Sequence, residues 1–409
     1  MKLIQSKITL LLVIFVMCSC NGKEDRSTIN KNVTIKKEVS IVVGANQTEN
    51  YLSILKDKKV AIVANQTSVI FKSDSTYVHL VDTLLARNIL ISKVFAPEHG
   101  FRGKADAGEH VSDGVDKQTG LPITSLYGKN RKPSPEMMQD IDIVIYDIQD
   151  VGVRFYTYIG TLHYVMEACA EANIPLLILD RPNPNAHYID GPILEMEYKS
   201  FVGMHPVPIV HGMTIGEYAK MINGEGWLEN KSHCDLTIIP VKNYTHQIPY
   251  SLPIKPSPNL PNDQSIDLYA SLCFFEGTNV SIGRGTSEQF QIIGSPNYKV
   301  ADFDYQFTPK PNDGAKHPKH QDEICYGYDL SEIEPQNKVN LKWLIEFYNT
   351  HQQESPEKQF YNQFFIKLAG TKKIQQQIGI GLTEAEIRET WKEGLDAYKT
   401  IRNNYLLYK

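Results

Sequence analysis

Polar side chains follow four hydrophobic segments of this sequence, and at three of these junctions they include carboxylates capable of acid–base chemistry. If these segments are parallel strands, their carboxyl ends meet along one edge of a sheet, where ligands bind in open α/β folds. Loops are polar in any protein, so the coincidence of four such junctions carries more weight than any one of them. The sequence therefore predicts one shared cleft, formed by Asn65-Gln66-Thr67, by Pro97-Glu98-His99-Gly100, by Asp147, Gln149, Asp150 and Arg154, and by Asp180-Arg181-Pro182-Asn183.

Glu98 is the leading candidate for a proton donor. It directly follows a segment expected to be buried, and it lies between the apolar residues Phe95 and Phe101. Glycoside hydrolysis needs a proton donor at the leaving oxygen and a second group that stabilises or traps an oxocarbenium-like centre. A carboxyl group in partly apolar surroundings suits the first task. A loop carboxylate that caps a backbone turn is the alternative interpretation of the same residue.

Several other chemistries lack the motifs that they require. The sequence contains no GxGxxG after its first strand and no GxxxxGK[ST], so nucleotide phosphates have no backbone cradle. It also lacks the GxSxG elbow of α/β-hydrolases and the HExxH of zinc peptidases. No Cys/His cluster has zinc-site spacing. We therefore expect neither a cofactor nor a metal, and an amidase or carboxypeptidase is disfavoured.

The composition sets broad limits on fold and partners. The chain has 409 residues, of which 42% are hydrophobic and 22% charged, with a formal net charge of -5. A chain of this kind folds, and it lacks the basic field that nucleic-acid binding requires. Single hydrophobic cores stop growing at about 250–300 residues, which predicts two domains or one large one. Cys169, Cys234, Cys273 and Cys325 are interpreted as buried apolar residues, with one pair possible.

The N-terminus resembles a bacterial lipoprotein signal. Lys2 and Lys7 precede a short apolar run, residues 8–17, which Cys20 closely follows. An uncleaved membrane anchor is the alternative, but a spanning helix needs about 20 apolar residues. We expect a lipoprotein in the cell envelope of a Gram-negative bacterium, periplasmic or at the cell surface, with the lipid as its sole contact with the membrane. The features predicted are a signal peptide (1–20), a lipidated Cys20 and a polar tether (21–40).

A strand–helix rhythm begins after the tether and predicts an open α/β sheet. The apolar runs have the length of strands buried on both faces of a parallel sheet. The rhythm stops near residue 250, so we predict a catalytic domain at 41–250 and a smaller α+β domain at 251–409. The predicted strands are 59–64, 91–96, 142–148, 175–180 and 235–241.

Helix signals lie between and after these strands. An apolar stripe runs from Tyr158 to Cys169, and Thr214 with Glu217 forms a capping box. Ser134 followed by Pro135 predicts another helix start. Near the C-terminus, helices are predicted at 341–348 and from Thr383 to Tyr398, whereas the proline-rich segment 254–262 is expected to be irregular.

Six longer motifs follow one another along the chain: PEHGFRGKADAGE (97–109), YDIQDVGVRFYTYI (146–159), LDRPNPN (179–185), HGMTIGEYA (211–219), PSPNLP (256–261) and FEGTNVSIGRGT (275–286). In this order and spacing they resemble the exo-β-N-acetylmuramidases of the NamZ type. The resemblance covers residues 43–409 and implies a Rossmann-like N-terminal domain, an auxiliary C-terminal domain and an active site in the cleft between them. It also implies a peptidoglycan-derived sugar as the substrate.

The resemblance also assigns catalytic roles. Glu98 of PEHG matches the family's catalytic glutamate and is carried over as the general acid/base. Glu109, Asp150 and Glu276 are candidates for the second group. The 2-acetamido group of the substrate is another candidate, because substrate-assisted hydrolysis needs no carboxylate nucleophile.

The substrate's 3-O-lactyl carboxylate calls for a cation, and arginine binds a carboxylate in bidentate fashion. Arg284 is the first choice, with Arg154 and Arg102 after it, although Arg284 could instead pair internally with Asp147 or Glu276. His99, Tyr156 and Asn279 are further substrate-binding candidates, the last two with a bracing role as the alternative. A surface lipoprotein that binds muropeptides without cleaving them is the competing function, and the oligomeric state stays open.

Overall fold

The computed structural model describes residues 40–408 apart from positions 74, 103–112, 129, 299–300 and 302. The proposed signal peptide, Cys20, most of the tether and Glu109 lie outside the described residues. Helices in the described part of the chain all fall short of the length and apolar character that a transmembrane segment needs.

A seven-stranded sheet forms the centre of the N-terminal half. Six of its strands are parallel, and β5 pairs antiparallel with β6 at one edge. The order is β5-β6-β4-β1-β7-β8-β9, so the chain moves outward from β1 first to one side and then to the other, as in Rossmann-like sheets. The strands are β1 (Val60–Ala64), β4 (Ile91–Ala96), β5 (Gly114–Val115), β6 (Pro122–Ser125), β7 (Ile143–Asp147), β8 (Leu176–Leu179) and β9 (Leu236–Ile239), and β2 (Val69–Ser73) with β3 (Thr76–His79) forms a separate hairpin.

The five strands predicted from the sequence are confirmed within one or two residues at each end. β1, β7 and β8 are buried along their whole length, which explains their continuous apolar sequences. The sequence prediction missed β6, because this short strand begins with a proline and is fully buried only at Ser125.

Ten α-helices are present in the described residues, and two of the predicted helix signals are confirmed in detail. In α3 the whole predicted stripe from Tyr158 to Cys169 is buried, and Thr214 and Glu217 form the capping box of α4. The helices are α1 (Leu52–Leu55), α2 (Leu80–Ala86), α3 (Tyr158–Ala172), α4 (Ile215–Gly224), α5 (Asp263–Leu272), α6 (Lys342–Glu354), α7 (Gln363–Ala369), α8 (Lys373–Gly379), α9 (Glu384–Glu389) and α10 (Lys392–Arg402).

Two helix predictions were wrong in part or whole. No helix follows Ser134, and residues 135–140 form turns instead. Met137 and Met138 supply the apolar side chains of that segment, too few for a helical stripe, and Asp140 has a φ of 57° that ends any helical path. The helix predicted from Thr383 to Tyr398 is interrupted at Thr390 and Trp391, so it forms two helices, α9 and α10.

The C-terminal half adds a small antiparallel sheet to helices α5–α10. Strands β10 (Ile292–Ser295), β12 (Cys325–Asp329) and β11 (Tyr305–Phe307) lie in that order. One hydrophobic core extends from the large sheet into the C-terminal helices, and residues 40–409 form one compact unit. A shared core of this kind holds the two halves in a fixed relation. The four cysteines of this unit are buried, as predicted from the sequence, and their thiols are free.

Candidate active site

A cavity of about 440 Å³ lies where the carboxyl ends of the sheet strands meet the C-terminal half. The structure brings Glu98, His99, Tyr156, Glu276 and Arg284 together in its lining. These five candidates come from both halves of the chain. The lining also includes Tyr127, Arg131, Thr157, Tyr158, Phe201, Asn259, Tyr269, Phe290, Phe364 and Lys367.

A tight turn after β4 presents Glu98 to the cavity. The Gly100 amide donates to the Pro97 carbonyl at 3.0 Å, and the turn places both His99 (φ 69°) and Gly100 (φ 78°) in the left-handed region. Glycine adopts this conformation freely, whereas histidine does so at a cost that is found most often at functional sites. The turn thus ends a rigid buried strand with an acid that is only 8% exposed.

Two hydroxyl groups from different elements hold the Glu98 carboxyl group. Thr157 Oγ1 donates to Glu98 Oε2 at 2.6 Å, from the loop that leads into α3. Tyr127, which follows β6, hydrogen-bonds to the Glu98 side chain as well. Burial, followed by the charge and hydrogen bond of Glu98, raises the pKa of Tyr127, which therefore remains a protonated donor. These contacts fix the direction in which Glu98 presents its carboxyl group.

Glu276 lines the same cavity, but its neighbours are cations and not hydroxyl groups. Arg284 Nε donates to Glu276 Oε1 at 2.5 Å, and the guanidinium lies over the Phe290 ring at 5.1 Å. Burial acts to raise the pKa of Glu276, but the charges of Arg284 and Lys319 outweigh it and lower the pKa below its ordinary value. Glu276 is therefore a carboxylate at neutral pH.

The internal pairing of Arg284 that the sequence left open is thus the one with Glu276. This pairing uses Nε, and the two Nη groups make no hydrogen bond with any described residue. The planar fork at the end of the side chain is the part of arginine that binds a carboxylate in bidentate fashion. Arg284 can therefore hold Glu276 and an anionic ligand at the same time.

Lys319 stabilises the segment that carries Glu276. Its ammonium group donates to the carbonyls of Phe275, Thr278 and Val280 at 2.9, 2.7 and 2.9 Å. Burial lowers the pKa of Lys319 to about 8, even though Glu276 opposes that shift. Three carbonyl contacts from one side chain keep this loop in a single conformation.

Two further cations of the cavity were missed by sequence reasoning. The Arg131 guanidinium lies 4.2 Å from the centre of the Phe201 ring, and Lys367 lines the cavity from α7. Neither forms an ion pair with a described acid. Tyr127 and Arg131 follow β6, so recognising this strand would have pointed to both, and Thr157 lies inside a motif that had been singled out.

Arg154 and Asp150 lie outside the cavity lining and brace the loop beside it. Arg154 is 1% exposed and donates to four carbonyls, those of Pro192, Val207, Leu368 and Ala369, at 2.8 to 3.1 Å. Asp150 accepts the Gly152 amide at 2.6 Å, and burial raises the pKa of its carboxyl group to about 7. Both residues shape the segment that delivers Tyr156 and Thr157 to the cavity.

Arg102 and Asn279 also have partners elsewhere. Arg102 Nη2 lies 2.8 Å from Asp116 and 3.6 Å from Asp82. The Asn279 side chain accepts from the Tyr298 hydroxyl at 3.2 Å and lies 3.3 Å from His351 Nδ1, which is the bracing role considered for it.

One group of carboxylates in the described residues could hold a cation, and it lies away from the cavity. Glu167, Glu171 and Glu229 come close together at the surface. Lys132 donates to Glu167 at 2.8 Å and to Glu171 at 2.6 Å, so a lysine ammonium already pairs with two of these three carboxylates.

Comparisons with known proteins agree with this architecture. Residues 60–264 match the N-terminal domain of the exo-β-N-acetylmuramidase NamZ, and residues 267–408 match its C-terminal domain. The peptidoglycan β-N-acetylmuramidase NamZ of Bacillus subtilis is 37% identical over 397 residues, which cover 93% of this chain and 94% of that protein.

Two crystal structures of DUF1343 family proteins from Bacteroides fragilis share the fold. One has a TM-score of 0.82 and 46% identity over 91% of this chain and 99% of its own. The other has a TM-score of 0.77 and 28% identity over 90% of this chain and 99% of its own. Because both domain models match in order and the identity extends over nearly the whole length, this chain belongs to the NamZ family of exo-β-N-acetylmuramidases.

Proposed function

We propose that this protein is an exo-acting glycoside hydrolase that releases N-acetylmuramic acid from the non-reducing ends of peptidoglycan fragments. Family membership and the named activity of the Bacillus subtilis relative support the reaction class. The observation that carries the proposal is the shared cavity, in which a doubly hydrogen-bonded Glu98 faces the Glu276–Arg284 pair. This arrangement combines a proton donor, a carboxylate and an anion-binding cation.

Glu98 acts as the general acid and then as the general base. Its proton passes to the glycosidic oxygen while the bond from that oxygen to the anomeric carbon breaks, and the bonding electrons stay with the leaving sugar. Glu98 then takes a proton from the water that attacks the anomeric carbon. Thr157 and Tyr127 orient the carboxyl group for both steps.

The positive charge at the anomeric carbon needs a second group. Glu276 is ionised and lines the cavity, which makes it the best placed candidate among the described residues. The substrate's 2-acetamido group is the other candidate, with Glu276 then stabilising the positively charged intermediate electrostatically. Both routes retain the anomeric configuration, so proton NMR that shows an inverted first-formed sugar would contradict them.

Arg284 binds the lactyl carboxylate through its two Nη groups. Its Nε bond to Glu276 and its contact with Phe290 orient the guanidinium before substrate arrives. A pre-oriented fork loses less rotamer entropy on binding than a free side chain does. Arg131 and Lys367 raise the positive potential of the same cavity and so favour an anionic sugar.

The central experiment compares Glu98→Gln with Glu229→Gln, an exposed carboxylate outside the cavity. The substrates are chromogenic β-glycosides of N-acetylmuramic acid and of N-acetylglucosamine. We expect Glu98→Gln to lower kcat by about 10²- to 10⁴-fold with little change in KM, and Glu229→Gln to behave as the wild type. Unchanged turnover in Glu98→Gln would remove this residue from the mechanism. Disaccharide binding without any cleavage by the wild type would instead support the binding-only function.

We also propose that the protein is exported and lipidated at Cys20, which would place the cavity in the cell envelope. The apolar run at 8–17 and the cysteine that closely follows it support this proposal. Metabolic labelling with a tagged fatty acid should mark the wild type and not Cys20→Ala. A soluble, unlabelled wild type would contradict it.

A further inference from the structure

A second concave site lies in the C-terminal half, on a neighbouring face of helix α7. It has a volume of about 370 Å³ and a lining of aromatic and amide side chains, and we call it the amide groove. It is defined by Tyr348, Gln352, Lys358, Gln359, Phe360, Tyr361, Asn362, Gln363, Ile366, Gln375 and Gln376.

Stacked aromatic rings form one part of this groove. Tyr348 and Tyr361 have ring centroids 5.6 Å apart and an interplanar angle of 20°. Phe360 packs edge-on against both, at 5.6 and 4.8 Å. Such rings offer a flat apolar surface together with phenolic hydroxyls, a combination that suits the apolar face and the polar rim of a sugar ring.

The polar groups of the groove have unused hydrogen-bonding capacity. The Tyr361 hydroxyl is buried and makes no hydrogen bond with any described residue. The side-chain amides of five glutamines, four of them exposed and Gln375 partly buried, also make no hydrogen bond with a described residue: Gln352, Gln359, Gln363, Gln375 and Gln376. Each amide offers two donors and an acceptor, so together they can match hydroxyl and acetamido groups.

The charge of the lining narrows the class of ligand. Lys358 is the one charged residue among the described residues of its lining, whereas several cations line the catalytic cavity. A neutral ligand rich in hydroxyl and amide groups therefore fits it better than a polyanion does. N-acetylglucosamine is such a ligand, whereas free muramic acid carries a carboxylate.

Helix α7 connects the groove to the catalytic cavity. Phe364, Lys367 and Leu368 line the cavity, whereas Gln363 and Ile366 of the same helix line the groove. Side chains of one helix lie on a cylinder of about 10–12 Å diameter, so the two sites are separated by little more than the width of α7. A short glycan that extends from the cavity across α7 could reach the groove.

We propose that the amide groove binds an N-acetylglucosamine residue of the glycan whose terminal sugar occupies the catalytic cavity. It acts as an accessory site for the part of the substrate that is released as the leaving chain. The inference rests on the proposed function for its substrate class, and it adds a binding site outside the cavity.

The test uses tri-N-acetylchitotriose as the probe and isothermal titration calorimetry as the measurement. The variants Tyr361→Phe and Gln352→Ala should each weaken binding by about 3- to 10-fold, because each removes hydrogen bonds of ordinary strength. Gln353→Ala, which alters the next residue of α6 outside the groove, is the matched control and should bind as the wild type does. Thermal unfolding of each variant confirms that the fold is intact.

A kinetic readout separates this inference from the proposed function. The groove variants should keep the wild-type kcat and KM on a chromogenic muramic acid monosaccharide, and should raise KM for longer glycan chains. Equal chitotriose binding by Tyr361→Phe, Gln352→Ala and wild type would overturn the accessory site. Failure of the wild type to cleave the chromogenic substrate would instead overturn the proposed function, whatever the binding data show.

Discussion

Two arginine–carboxylate pairs lie near the carboxyl edge of the sheet, and they differ in how much of the guanidinium each one uses. In the first pair, Arg181 Nε and Nη2 contact the two oxygens of Asp147 at 2.6 and 2.9 Å, and Nη2 also donates to the Val69 carbonyl. In the second pair, Arg284 contacts Glu276 through Nε alone. The side chains are 3% and 0% exposed in the first pair, against 23% and 24% in the second.

The difference separates a structural pair from a pair that is available to a ligand. Complete burial raises the pKa of Asp147 although Arg181 opposes the shift, whereas the pKa of Glu276 is lowered because Arg284 and Lys319 outweigh burial. The charge of Asp147 is thus compensated by the Arg181 guanidinium, which bonds both to Asp147 and to the Val69 carbonyl. The two Nη groups of Arg284 make no hydrogen bond with a described residue, so they are available to the carboxylate of the proposed substrate.

The largest predicted effect concerns the structural pair. Asp147→Leu or Arg181→Met alone should lower the free energy of unfolding by about 3–5 kcal/mol, because each leaves one buried charge without its partner. Denaturant titration measures this loss. The double variant should be less destabilised than the sum of the single ones. Additive losses would show that the two side chains do not act as a pair.

The next effect concerns the cavity pair and appears in activity. Arg284→Gln should lower kcat/KM on the muramic acid glycoside by about 10- to 100-fold, mostly through KM, because it removes charged hydrogen bonds to the lactyl carboxylate. Cleavage of the N-acetylglucosamine glycoside should not fall in parallel, since that sugar has no lactyl group. An equal loss on both substrates would assign Arg284 to the orientation of Glu276 alone.

A smaller effect is expected from Arg131→Gln, which compares a second arginine of the cavity with Arg284. Arg131 stacks on Phe201, and no acid among the described residues pairs with it as Glu276 pairs with Arg284, so we assign it to the general potential of the cavity. The variant should lower kcat/KM for the muramic acid glycoside by about 3-fold or less, and less still at high salt. A larger loss than that of Arg284→Gln would transfer the carboxylate-binding role to Arg131.

The sequence predicted the scaffold well because its strands are buried on both faces. Continuous apolar runs such as those of β1 and β7 have few other interpretations. Capping boxes with an apolar stripe behind them, as at Thr214, were equally reliable. The signal at Ser134 failed because a cap stabilises a helix only when side chains further along can be buried.

The candidate site was predicted less completely, for a physical reason. The motifs identified Glu98 and Arg284 as candidates. The sequence alone, however, does not show whether a polar loop residue faces a cavity or a set of backbone carbonyls. Arg154 is such a case, since its guanidinium is enclosed by carbonyls. The pairing of Arg284 with Glu276 depends on how a loop folds back, which residue spacing alone leaves undetermined.

The smallest predicted effect is a change in pH dependence, and it tests the electrostatic half of the comparison. A carboxylate with a lowered pKa stays charged as the pH falls, so wild-type Glu276 should remain ionised well into the acid range. In Arg284→Gln the largest opposing charge is gone, and burial then raises the pKa of Glu276. The acid limb of kcat/KM should therefore move to higher pH in this variant, measured on the N-acetylglucosamine glycoside so that lactyl binding does not contribute. Arg131→Gln, which leaves the ion pair intact, should keep the wild-type limb. An unmoved limb in Arg284→Gln would mean that ionised Glu276 is not required for turnover, and would favour the acetamido group as the second catalytic group.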